Sequence, residues 1–337
     1  MSAVIAGLGG WIPPTVVTNA DLCSTLDTSS EWIETRTGIR ERRMVSAGLS
    51  TRELALEAGT RALRSAGVSA VDAVVVATTS PDRICPAVAP EVAWRLGLGT
   101  IPAFDLTSAC SGFLYGLATC SGLISSRLAQ RVLLIGAEAF TAFVNPKDRV
   151  TRPIFGDGAA AMVLRAGHAG ELGAIGPIDL GADGSLSDSL AIPGGGARWR
   201  VQGGNLEAPF ADDCYLHMDG RRVFVEAVTR MAQSASAVLK LSGWSSAELD
   251  WFVGHQANMR ILRGVAEHLA LPEAKVAANI DRVGNTLTAS VGLLLNELAV
   301  RKELVPGQRV LMSAFGAGLS WGSTTFTWPD IAIAGIE

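Results

Sequence analysis

The sequence is poor in charged residues and has no excess of basic ones. Only 18% of its 337 residues are Asp, Glu, Lys or Arg, and the formal net charge is -4 at pH 7. A protein that binds the phosphate backbone of a nucleic acid needs a basic surface to neutralise it. The composition therefore argues against nucleic acid as a partner.

Long apolar runs are also missing. No uninterrupted stretch reaches the ~18 apolar residues that a membrane-spanning helix requires, although 48% of the residues are hydrophobic. Residues 1–14 are apolar, but they lack a cationic start and are interrupted by glycines and prolines, unlike a signal peptide. We therefore expect a compact globular protein of the cytoplasm, with no membrane partner.

Cysteines are few, and their spacing shows no framework. The five are odd in number and scattered, with no CxxC pair, so neither a disulfide framework nor a zinc site is indicated. The phosphate-binding sequences GxGxxG and GxxxxGK[ST] are absent from the strand-to-helix turns, which argues against a nucleotide-binding fingerprint. The sequence predicts no metal and no bound cofactor, and leaves open that one thiol is kept for its reactivity.

What the sequence does contain is an alternation of strand-like and helical segments. Apolar runs at 71–80, 104–108 and 131–138 are typical of buried strands, and helical segments lie between them at 87–96 and after Cys110. Such alternation indicates βαβ units with parallel strands. The expected fold class is α/β.

The second half of the sequence repeats the order of the first. Residues 53–80 run helix, Gly, linker, Asp, strand, and residues 223–256 follow the same order at similar length. FGDGAAAMVL (155–164) is likewise echoed by FGAGLSWGSTTF (315–326). Repeats of this length indicate an internal duplication of one α/β module. A duplicated core would bring matching loops of both halves to one shared site.

The two halves are joined by a segment, 166–222, that is rich in Gly, Asp and Ser and contains PGGG at 193–196. We interpret it as an excursion of surface loops, with a phosphate-cradling loop as the alternative. We therefore predict an amino-terminal half at 1–170 and a carboxy-terminal half at 171–337, with a loop-rich connection at 171–222.

One cysteine lies at a position that favours reactivity. In FDLTSACSGFLYGLATCSGLISS (104–126), a strand ends in small residues and Cys110 stands where a helix begins. The unpaired backbone N–H groups and the positive end of the helix dipole favour the thiolate there. Cys110 is therefore the candidate nucleophile, with a small buried core residue as the alternative. Cys120, in mid-helix, fits that alternative better.

Two further polar residues stand at comparable turns. The segment LDWFVGHQANMRILRGVAEHLAL (249–271) brings His255 to the end of a strand, where catalytic groups collect in parallel sheets. In DRVGNTLTASVGLLLNELAV (281–300), Asn285 follows a glycine in a turn ahead of a helix. A lone histidine is more often structural, and Gly-Asn-Thr is an ordinary turn sequence. Neither residue is decisive alone.

Together, Cys110, His255 and Asn285 form a coherent catalytic set. A thiolate needs a positioned partner, and an amide can orient that partner or donate to an oxyanion. Papain-like hydrolases also carry Cys, His and Asn in this order, but the CGSCW sequence is absent and Cys110 lies deep in the chain. We therefore prefer an acyl-transferring enzyme, with a papain-like hydrolase as a less favoured alternative.

Seven ordered motifs extend this interpretation over essentially the whole chain. They are WIPPTVVTN, SSEWIETRTGIRERR, SACSGF, FGDGAAA, HQANMRI, GNT and FGAGLSWG. With them the sequence resembles the β-ketoacyl-acyl-carrier-protein synthase III group of thiolase-fold condensing enzymes. The resemblance implies a thiolase-like fold, with two duplicated βαβαβαββ modules in five αβαβα layers, and a homodimer.

The resemblance also implies a reaction, a decarboxylative Claisen condensation. Cys110 takes an acyl group from acyl-CoA as a thioester, and malonyl-ACP then enters and loses CO2. His255 and Asn285 together hold the malonyl thioester oxygen as the enolate charge develops. The backbone N–H groups of Cys110 and Ala317 form a second oxyanion hole, for the adduct at the acyl carbonyl.

The family pattern places further residues along the CoA arm. It puts Trp32 and Arg149 on opposite faces of the adenine, where stacking and guanidinium–phosphate contacts suit these types. The other residues implied along the tunnel are Thr28, Arg36, Gly220 and Phe224. Arg260 and Arg263, one helical turn apart, are expected to meet the acidic carrier protein. A packing tryptophan and solvated helix-face arginines are the alternatives.

Two positions near the acyl pocket depart from the family pattern. After GNT the family most often has SAAS, whereas Leu287 follows here, and we expect this larger side chain to reshape the malonyl pocket. Cys85 stands where the family often projects a larger side chain into the partner subunit's acyl pocket. We expect the small Cys85 to admit acyl groups longer or bulkier than acetyl.

Related enzymes of specialised metabolism share the scaffold and the triad. Priming synthases of polyketide pathways and quinolone-type synthases, with malonyl-CoA instead of malonyl-ACP as the acceptor in one variant, are therefore alternatives. A non-decarboxylating acyltransferase is another. A protein that only binds acyl-CoA is less favoured, because Cys110, His255 and Asn285 are all retained.

Overall fold

The structure is a computed structural model that describes residues 1–204 and 212–333. Within these ranges it contains thirteen strands and ten α-helices. The strands are β1 (Ser2–Trp11), β2 (Thr15–Thr18), β3 (Glu41–Met44), β4 (Ala73–Ala77), β5 (Ala103–Leu106), β6 (Arg131–Glu138), β7 (Gly158–Gly167), β8 (Ile175–Ala182), β9 (Leu190–Ala191), β10 (His217–Met218), β11 (Trp251–Gly254), β12 (Arg309–Gly316) and β13 (Ser320–Thr327). The helices are α1 (Asn19–Cys23), α2 (Ser30–Thr37), α3 (Thr51–Ala66), α4 (Ala89–Arg95), α5 (Gly112–Ser125), α6 (Ala197–Val201), α7 (Gly220–Ser242), α8 (Met259–His268), α9 (Ile280–Val283) and α10 (Ser290–Val300).

Two mixed sheets of the same design form the core. The first has the order β1-β7-β6-β4-β5, and the second has the order β8-β13-β12-β11. In each sheet a parallel central pair is followed by two antiparallel strands, β7 and β1 in the first and β13 and β8 in the second. A parallel bridge from Val276 to Phe252 of β11 occupies the place that β5 has in the first sheet.

The duplication extends to single hydrogen bonds. Asp72, just before β4, donates its N–H to the Arg131 carbonyl at 2.8 Å and accepts the Arg131 N–H on its carboxylate at 2.8 Å. Asp250, just before β11, makes the same pair of contacts with Arg309 at 2.9 and 2.7 Å. The helices α3 and α7 that precede these aspartates both end at a left-handed glycine. The predicted duplication is confirmed.

Alternating side chains divide the core into five layers. On β4, Val74 and Val76 pack against α3 and α4, whereas Ala73 and Val75 face the central core. The central core also contains apolar residues of α5, α10 and the second sheet, and the opposite face of that sheet packs against α7 and α8. Strands that bury both faces read as continuous apolar runs, which is why AVVVA and RVLLIGAE were recognisable in the sequence. The layer order αβαβα and the thiolase-like fold class are confirmed.

The connecting segment was misread in part. Strand β8 lies inside the stretch interpreted as surface loops and forms the edge of the second sheet. The interpretation was wrong there because IGPIDLGA alternates only weakly between apolar and polar residues. All strands of the first sheet precede residue 168, and all strands of the second follow residue 174. The predicted division at residue 170 stays a prediction.

Among the described residues, no helix is long and apolar enough to cross a bilayer.

Candidate active site

The candidate nucleophile lies between a strand and a helix of the first half. Strand β5 ends at Leu106, and Cys110 lies in a 3₁₀ turn, Ala109–Ser111, that leads directly into α5. Ala109 has a φ of 45°, a left-handed conformation that costs a non-glycine residue about 1–3 kcal/mol and is typical of functional sites. Cys110 is buried, with 6% of its surface exposed.

Burial changes the ionisation predicted for this thiol. We expected the helix start to favour the thiolate, but burial, followed by the nearby Glu138 carboxylate, raises the pKa of Cys110, and its own backbone N–H opposes the shift only in part. The expectation was wrong because a buried thiolate loses its hydration. The resting site therefore holds a neutral thiol. All five cysteines are free, and Cys120 lies in the central core as its alternative role predicted.

The loop after β11 holds His255 in a fixed position. The His255 N–H donates to the Ser313 carbonyl at 2.8 Å, which extends the β11–β12 ladder by one residue. The next residue, Gln256, receives the Asn279 N–H at 3.0 Å and donates its N–H to Ser290 Oγ at 2.7 Å. The chain is thereby tied to α9 and α10 at the point where the imidazole leaves the strand.

The imidazole is neutral at physiological pH. His255 is 2% exposed, and burial lowers its pKa to about 3. Its Nδ1 is buried without a hydrogen-bond partner among the described residues. A neutral imidazole can donate one hydrogen bond and accept another. His255 is therefore suited to donate a hydrogen bond to a substrate oxygen and not to supply a positive charge.

Asn285 is held by backbone contacts on both sides. Its N–H donates to the Ile154 carbonyl and its carbonyl accepts the Gly156 N–H, both at 2.9 Å. Gly284 precedes it at a φ of 70°, and a Cβ there would lie 3.0 Å from the Ile154 carbonyl oxygen. The Asn285 Oδ1 accepts the Leu287 N–H at 2.9 Å. This contact fixes the amide orientation and leaves Nδ2 as the free donor.

Two cavities meet at the nucleophile. One, of about 470 Å³, and the other, of about 550 Å³, share three lining residues, Cys110, Phe155 and Leu190. Cys110, His255 and Asn285 all line the larger cavity. The structure therefore brings together the three residues that the sequence singled out from distant segments.

The smaller cavity is apolar, and we call it the apolar cavity. Its described lining contains no charged residue and includes Leu287 and Ala317. Most of its other residues carry no signal in the sequence: Ile84, Phe140, Phe143, Phe155, Leu190, Ile192 and Leu216. Gly194, Gly195 and Gly196 of the PGGG segment also line it, so this segment at the surface forms part of an uncharged cavity, which does not favour the phosphate-cradling alternative.

The larger cavity carries the cations, and we call it the polar cavity. Its described lining contains three arginines and no carboxylate: Arg36, Arg221 and Arg260. Gly220 and Phe224 also line it, and the Arg260 guanidinium lies 5.4 Å from the centroid of the Phe224 ring. Of the predicted CoA contacts, three thus reach the cavity that holds His255 and Asn285.

The other predicted contacts lie outside the two linings. Trp32 is 38% exposed, with the Arg36 guanidinium 5.9 Å from its ring centroid, which places it beside the polar cavity. Arg149 is 3.6 Å from the Asp27 carboxylate, and the hydroxyl of the neighbouring Thr28 is buried without a partner among the described residues. No direct contact joins Trp32 and Arg149 in the described chain, so an adenine between them stays a prediction.

Two further predicted residues are exposed. Arg263 pairs with Glu273 at 3.2 Å on the surface of α8, and its side chain is 58% exposed. Cys85 is exposed and does not line this chain's apolar cavity, whereas its neighbour Ile84 does. Their roles in docking and in a partner's pocket stay predictions.

Within residues 1–204 and 212–333, no cluster of three or more His, Cys, Asp or Glu could hold a metal ion.

A glycine keeps space beside the backbone of the nucleophile. A Cβ on Gly316 would lie 2.6 Å from the Cys110 nitrogen and 3.0 Å from the Ser111 nitrogen. No side chain can therefore stand there, and the space beside the Cys110 N–H stays open. An N–H beside a buried thiol can donate to an oxygen on the carbon that the sulfur attacks.

A buried thiol between an apolar and a polar cavity, on two stacked copies of one module, defines a condensing enzyme of the thiolase fold. Comparison with known proteins gives the family. A model described as 3-oxoacyl-[acyl-carrier-protein (ACP)] synthase III matches residues 104–184, and its C-terminal counterpart matches residues 239–328.

Full-length relatives agree. The chain is 51% identical over 332 residues to β-ketoacyl-[acyl-carrier-protein] synthase III 3 of Streptomyces coelicolor, with 98% of each chain covered. It matches the crystal structure of 3-oxoacyl-(acyl carrier protein) synthase III from Pseudomonas aeruginosa with a TM-score of 0.92 at 45% identity, covering 98% of this chain and 100% of that one. The priming β-ketosynthase of the R1128 polyketide biosynthetic pathway gives 0.89 at 33% identity, covering 97% and 96%. The chain belongs to the β-ketoacyl-acyl-carrier-protein synthase III family of condensing acyltransferases.

Proposed function

We propose that this enzyme carries an acyl group from acyl-CoA on Cys110 and condenses it with a malonyl thioester. The observation that carries the proposal is the place of Cys110, at the junction of an uncharged cavity and a cavity with three arginines. An acyl chain suits the first environment, and a phosphopantetheine arm with its phosphates suits the second.

The first step is acylation. Cys110 Sγ attacks the acyl-CoA carbonyl, the thioester bond to CoA breaks, and the thiol proton leaves with the CoA sulfur. The oxygen of the tetrahedral adduct receives hydrogen bonds from the Cys110 and Ala317 N–H groups. Gly316 keeps the space at the Cys110 N–H open. Stabilisation of the adduct matters here because the resting thiol is neutral and poorly nucleophilic.

The second step takes place in the polar cavity. A malonyl thioester loses CO2, and the resulting enolate carbon attacks the acyl carbonyl while the bond to Cys110 Sγ breaks and the sulfur takes up a proton from solvent. The enolate oxygen is held by a hydrogen bond from neutral His255 and another from Asn285 Nδ2. Donors placed in advance on a buried site stabilise such a charge without reorganisation. The absence of a carboxylate from the described lining also favours a developing negative charge.

The polar cavity also supports a route for the carrier arm. Gly220, at the start of α7, and Phe224, one turn later, line it together with Arg36. We place the pantetheine between them, with Thr28, Trp32 and Arg149 outside for the nucleotide of CoA. Arg260 and Arg263 on α8 would then face the acidic carrier protein of malonyl-ACP, with malonyl-CoA as the alternative acceptor.

The starter is proposed to be longer or bulkier than acetyl. The apolar cavity of about 470 Å³ continues from Cys110 past three phenylalanines and Leu216, which is more apolar surface than a two-carbon group can cover. This observation also favours the second candidate function, priming of a polyketide pathway, and the likeness to the R1128 priming β-ketosynthase supports it.

We also propose a homodimer in the cytoplasm. Strand β5 is the free edge of the first sheet, and Phe104 on it is 37% exposed. Ile84, at the apolar cavity, is 81% exposed, so a second copy along this edge would cover both. Free cysteines suit a reducing compartment. Light scattering on the purified protein that gave a monomer at micromolar concentration would contradict the dimer.

Intact-mass analysis tests the reaction. We expect the wild type to gain one acyl mass from a panel of acyl-CoA donors and to release it as a ketoacyl product, with CO2, when malonyl-ACP or malonyl-CoA is added. Cys110→Ala should gain no mass, whereas the matched variant Cys120→Ala should still acylate. Acylation of Cys110→Ala would refute the proposal, and product without CO2 would indicate a plain acyltransferase.

A further inference from the structure

A buried carboxyl group that takes no part in the steps above lies close to the nucleophile. Glu138 ends β6 and is fully buried. One carboxylate oxygen, Oε2, accepts from Ser80 Oγ at 2.6 Å and from the Ser80 N–H at 3.1 Å. The other, Oε1, lies 3.0 Å from the Thr79 nitrogen and 2.7 Å from Thr288 Oγ1. Glu138 lines neither cavity.

Thr288 joins this carboxyl group to the nucleophile turn. Its Oγ1 lies 2.7 Å from Glu138 Oε1 and 2.9 Å from the Ala109 carbonyl oxygen. A hydroxyl has a single proton and can donate to only one of these oxygens at a time. When Glu138 is ionised, both neighbours are acceptors and compete for that proton. When Glu138 carries a proton on Oε1, it donates to Thr288, and Thr288 is then free to donate to Ala109.

The Ala109 carbonyl belongs to the same peptide unit as the Cys110 N–H. A hydrogen bond accepted by the carbonyl of a peptide polarises its N–H, and chains of such bonds strengthen one another. The Cys110 N–H is the donor that we place at the oxyanion of the acylation step. The bond from Thr288 to Ala109 therefore acts on that oxyanion through one peptide unit.

We propose that Glu138 and Thr288 form a proton-dependent relay that tunes the Cys110 N–H as an oxyanion donor. Both are positioning residues, since neither touches the reacting atoms. The proposal rests on the proposed function and adds to it a control of the acylation step. When Glu138 is protonated, the Thr288 hydroxyl donates to the Ala109 carbonyl, and the Cys110 N–H is a stronger donor to the oxyanion. When Glu138 is ionised, the Thr288 hydroxyl donates to the carboxylate, and the Cys110 N–H is a weaker donor.

The duplicated architecture supports a special role for this pair. Cys110 and Thr288 occupy equivalent positions: each is the second residue of a 3₁₀ turn before a helix, and the residue before each, Ala109 or Leu287, has a φ of 45° or 46°. Glu138 and Gly316 are likewise equivalent, as the last residues of β6 and β12. The second module thus leaves space beside Cys110, whereas the first places a carboxyl group beside Thr288.

The position of the hydroxyl is fixed by two glycines. A Cβ on Gly112 or on Gly136 would lie 3.1 Å from the Thr288 methyl carbon. The methyl group is seated between these glycines, and Thr288 is 1% exposed. Its Oγ1 is thereby directed to Glu138 and Ala109.

Glu138 can change its protonation near neutral pH. Burial raises the pKa of Glu138 to about 7, against the lowering effect of its bonds from Ser80, Thr288 and Thr79. The groups that face it from the packed elements are these hydroxyl and N–H groups, together with Thr78 Oγ1 at 3.4 Å. The titratable group that senses its charge is Cys110, whose pKa the Glu138 charge raises further. Ionisation of Glu138 thus opposes acylation in two ways.

The test reads the oxyanion hole directly on the acyl-enzyme. The wild type is acylated with butyryl-CoA carrying carbon-13 at the carbonyl, and the thioester stretching band is followed by infrared difference spectroscopy between about pH 6 and about pH 8.5. Stronger hydrogen bonding lowers the frequency of this band. We expect the wild-type band to move to higher frequency as pH rises. The thiol is already consumed, so its own titration does not contribute.

Isosteric variants separate the relay from a structural role. Glu138→Gln cannot ionise, so its band should not move with pH, and its acylation should be about threefold or more faster than that of the wild type at about pH 8.5. Thr288→Val should hold the band at the high frequency, and Thr288→Ser should restore the wild-type shift. The control is Thr286→Val, which removes a neighbouring buried hydroxyl that has no partner among the described residues.

The outcomes are distinguishable. A wild-type band that does not move with pH, or a Thr288→Val band that moves as the wild type does, would overturn the relay while leaving the proposed function intact. Failure of the wild type to acylate at all would overturn both. If Glu138→Gln does not fold, Thr288→Val and Thr288→Ser still test the relay, because Val and Ser are close to Thr in size.

Discussion

The apolar and polar cavities meet at one sulfur but differ in how they are built. The apolar cavity is lined by aromatic and aliphatic side chains from several loops, without a charged residue in its described lining. The polar cavity contains three arginines, an imidazole and two carboxamides at or near the ends of helices and strands. The two substrates are therefore selected by different interactions. The acyl group is chosen by volume and burial, and the carrier arm by hydrogen bonds and charge.

The same difference separates binding from chemistry. Lengthening or shortening an acyl chain changes the free energy of transfer by about 0.8 kcal/mol per methylene. Removing a donor from a developing oxyanion costs several times more. Changes in the polar cavity should therefore act on rate, and changes in the apolar cavity on substrate choice. Substitutions in each cavity test this division.

The largest effect is expected when the polar cavity loses a donor. His255→Ala and Asn285→Ala should each reduce condensation by about 10²- to 10³-fold, because each removes a hydrogen bond to the enolate. Acylation of Cys110 should continue, and intact mass before and after malonyl-ACP addition measures both steps. Asn285→Asp replaces the donor by an acceptor of the same shape and should lose at least as much as Ala. Equal loss of acylation and condensation would break the division between the cavities.

The burial of His255 should appear as a pH dependence of stability. Its pKa is lowered from 6.5 to about 3, so below 6.5 the unfolded chain binds a proton that the native protein does not. Stability that is present above the unfolded pKa is therefore lost as pH falls, by about 2 kcal/mol at about pH 5. Urea unfolding of the wild type and His255→Gln at about pH 7 and 5 measures this. Parallel losses in both proteins would show that His255 does not contribute.

A bulkier side chain in the apolar cavity should change chain-length preference. Ile192→Phe should lower kcat/KM for hexanoyl-CoA about tenfold and leave acetyl-CoA within about twofold, since displacing two methylenes removes about 1.6 kcal/mol of burial. Val225→Phe is the matched change in the polar cavity and should affect both donors equally. A selective loss of hexanoyl-CoA in Val225→Phe, or an equal loss of both donors in Ile192→Phe, would contradict the comparison.

The residues of the two cavities differ in how well the sequence predicts them. Cys110, His255 and Asn285 of the polar cavity could be singled out, because they lie in local motifs at strand and helix ends. The apolar lining could not be, since Leu190 or Leu216 in a loop-rich segment looks like any other leucine, and only the tertiary fold shows which leucines converge. The raised pKa of Cys110 was missed for a related reason, because burial is set by surrounding elements and not by the helix start.

The smallest predicted effect concerns Trp32, which lies beside the polar cavity where the adenine of CoA is expected. Trp32 and Trp94 are both exposed tryptophans with an arginine guanidinium near the ring, at 5.9 and 5.8 Å. Only Trp32 lies beside the polar cavity, through Arg36. If the adenine of CoA stacks there, Trp32→Ala should raise KM for acyl-CoA about two- to fivefold with kcat unchanged, the loss of one stacking contact. KM for an acyl-pantetheine substrate, which has no adenine, should not change, and Trp94→Ala should leave both values unaltered. A rise in KM for both substrates would place Trp32 on the pantetheine and not on the nucleotide.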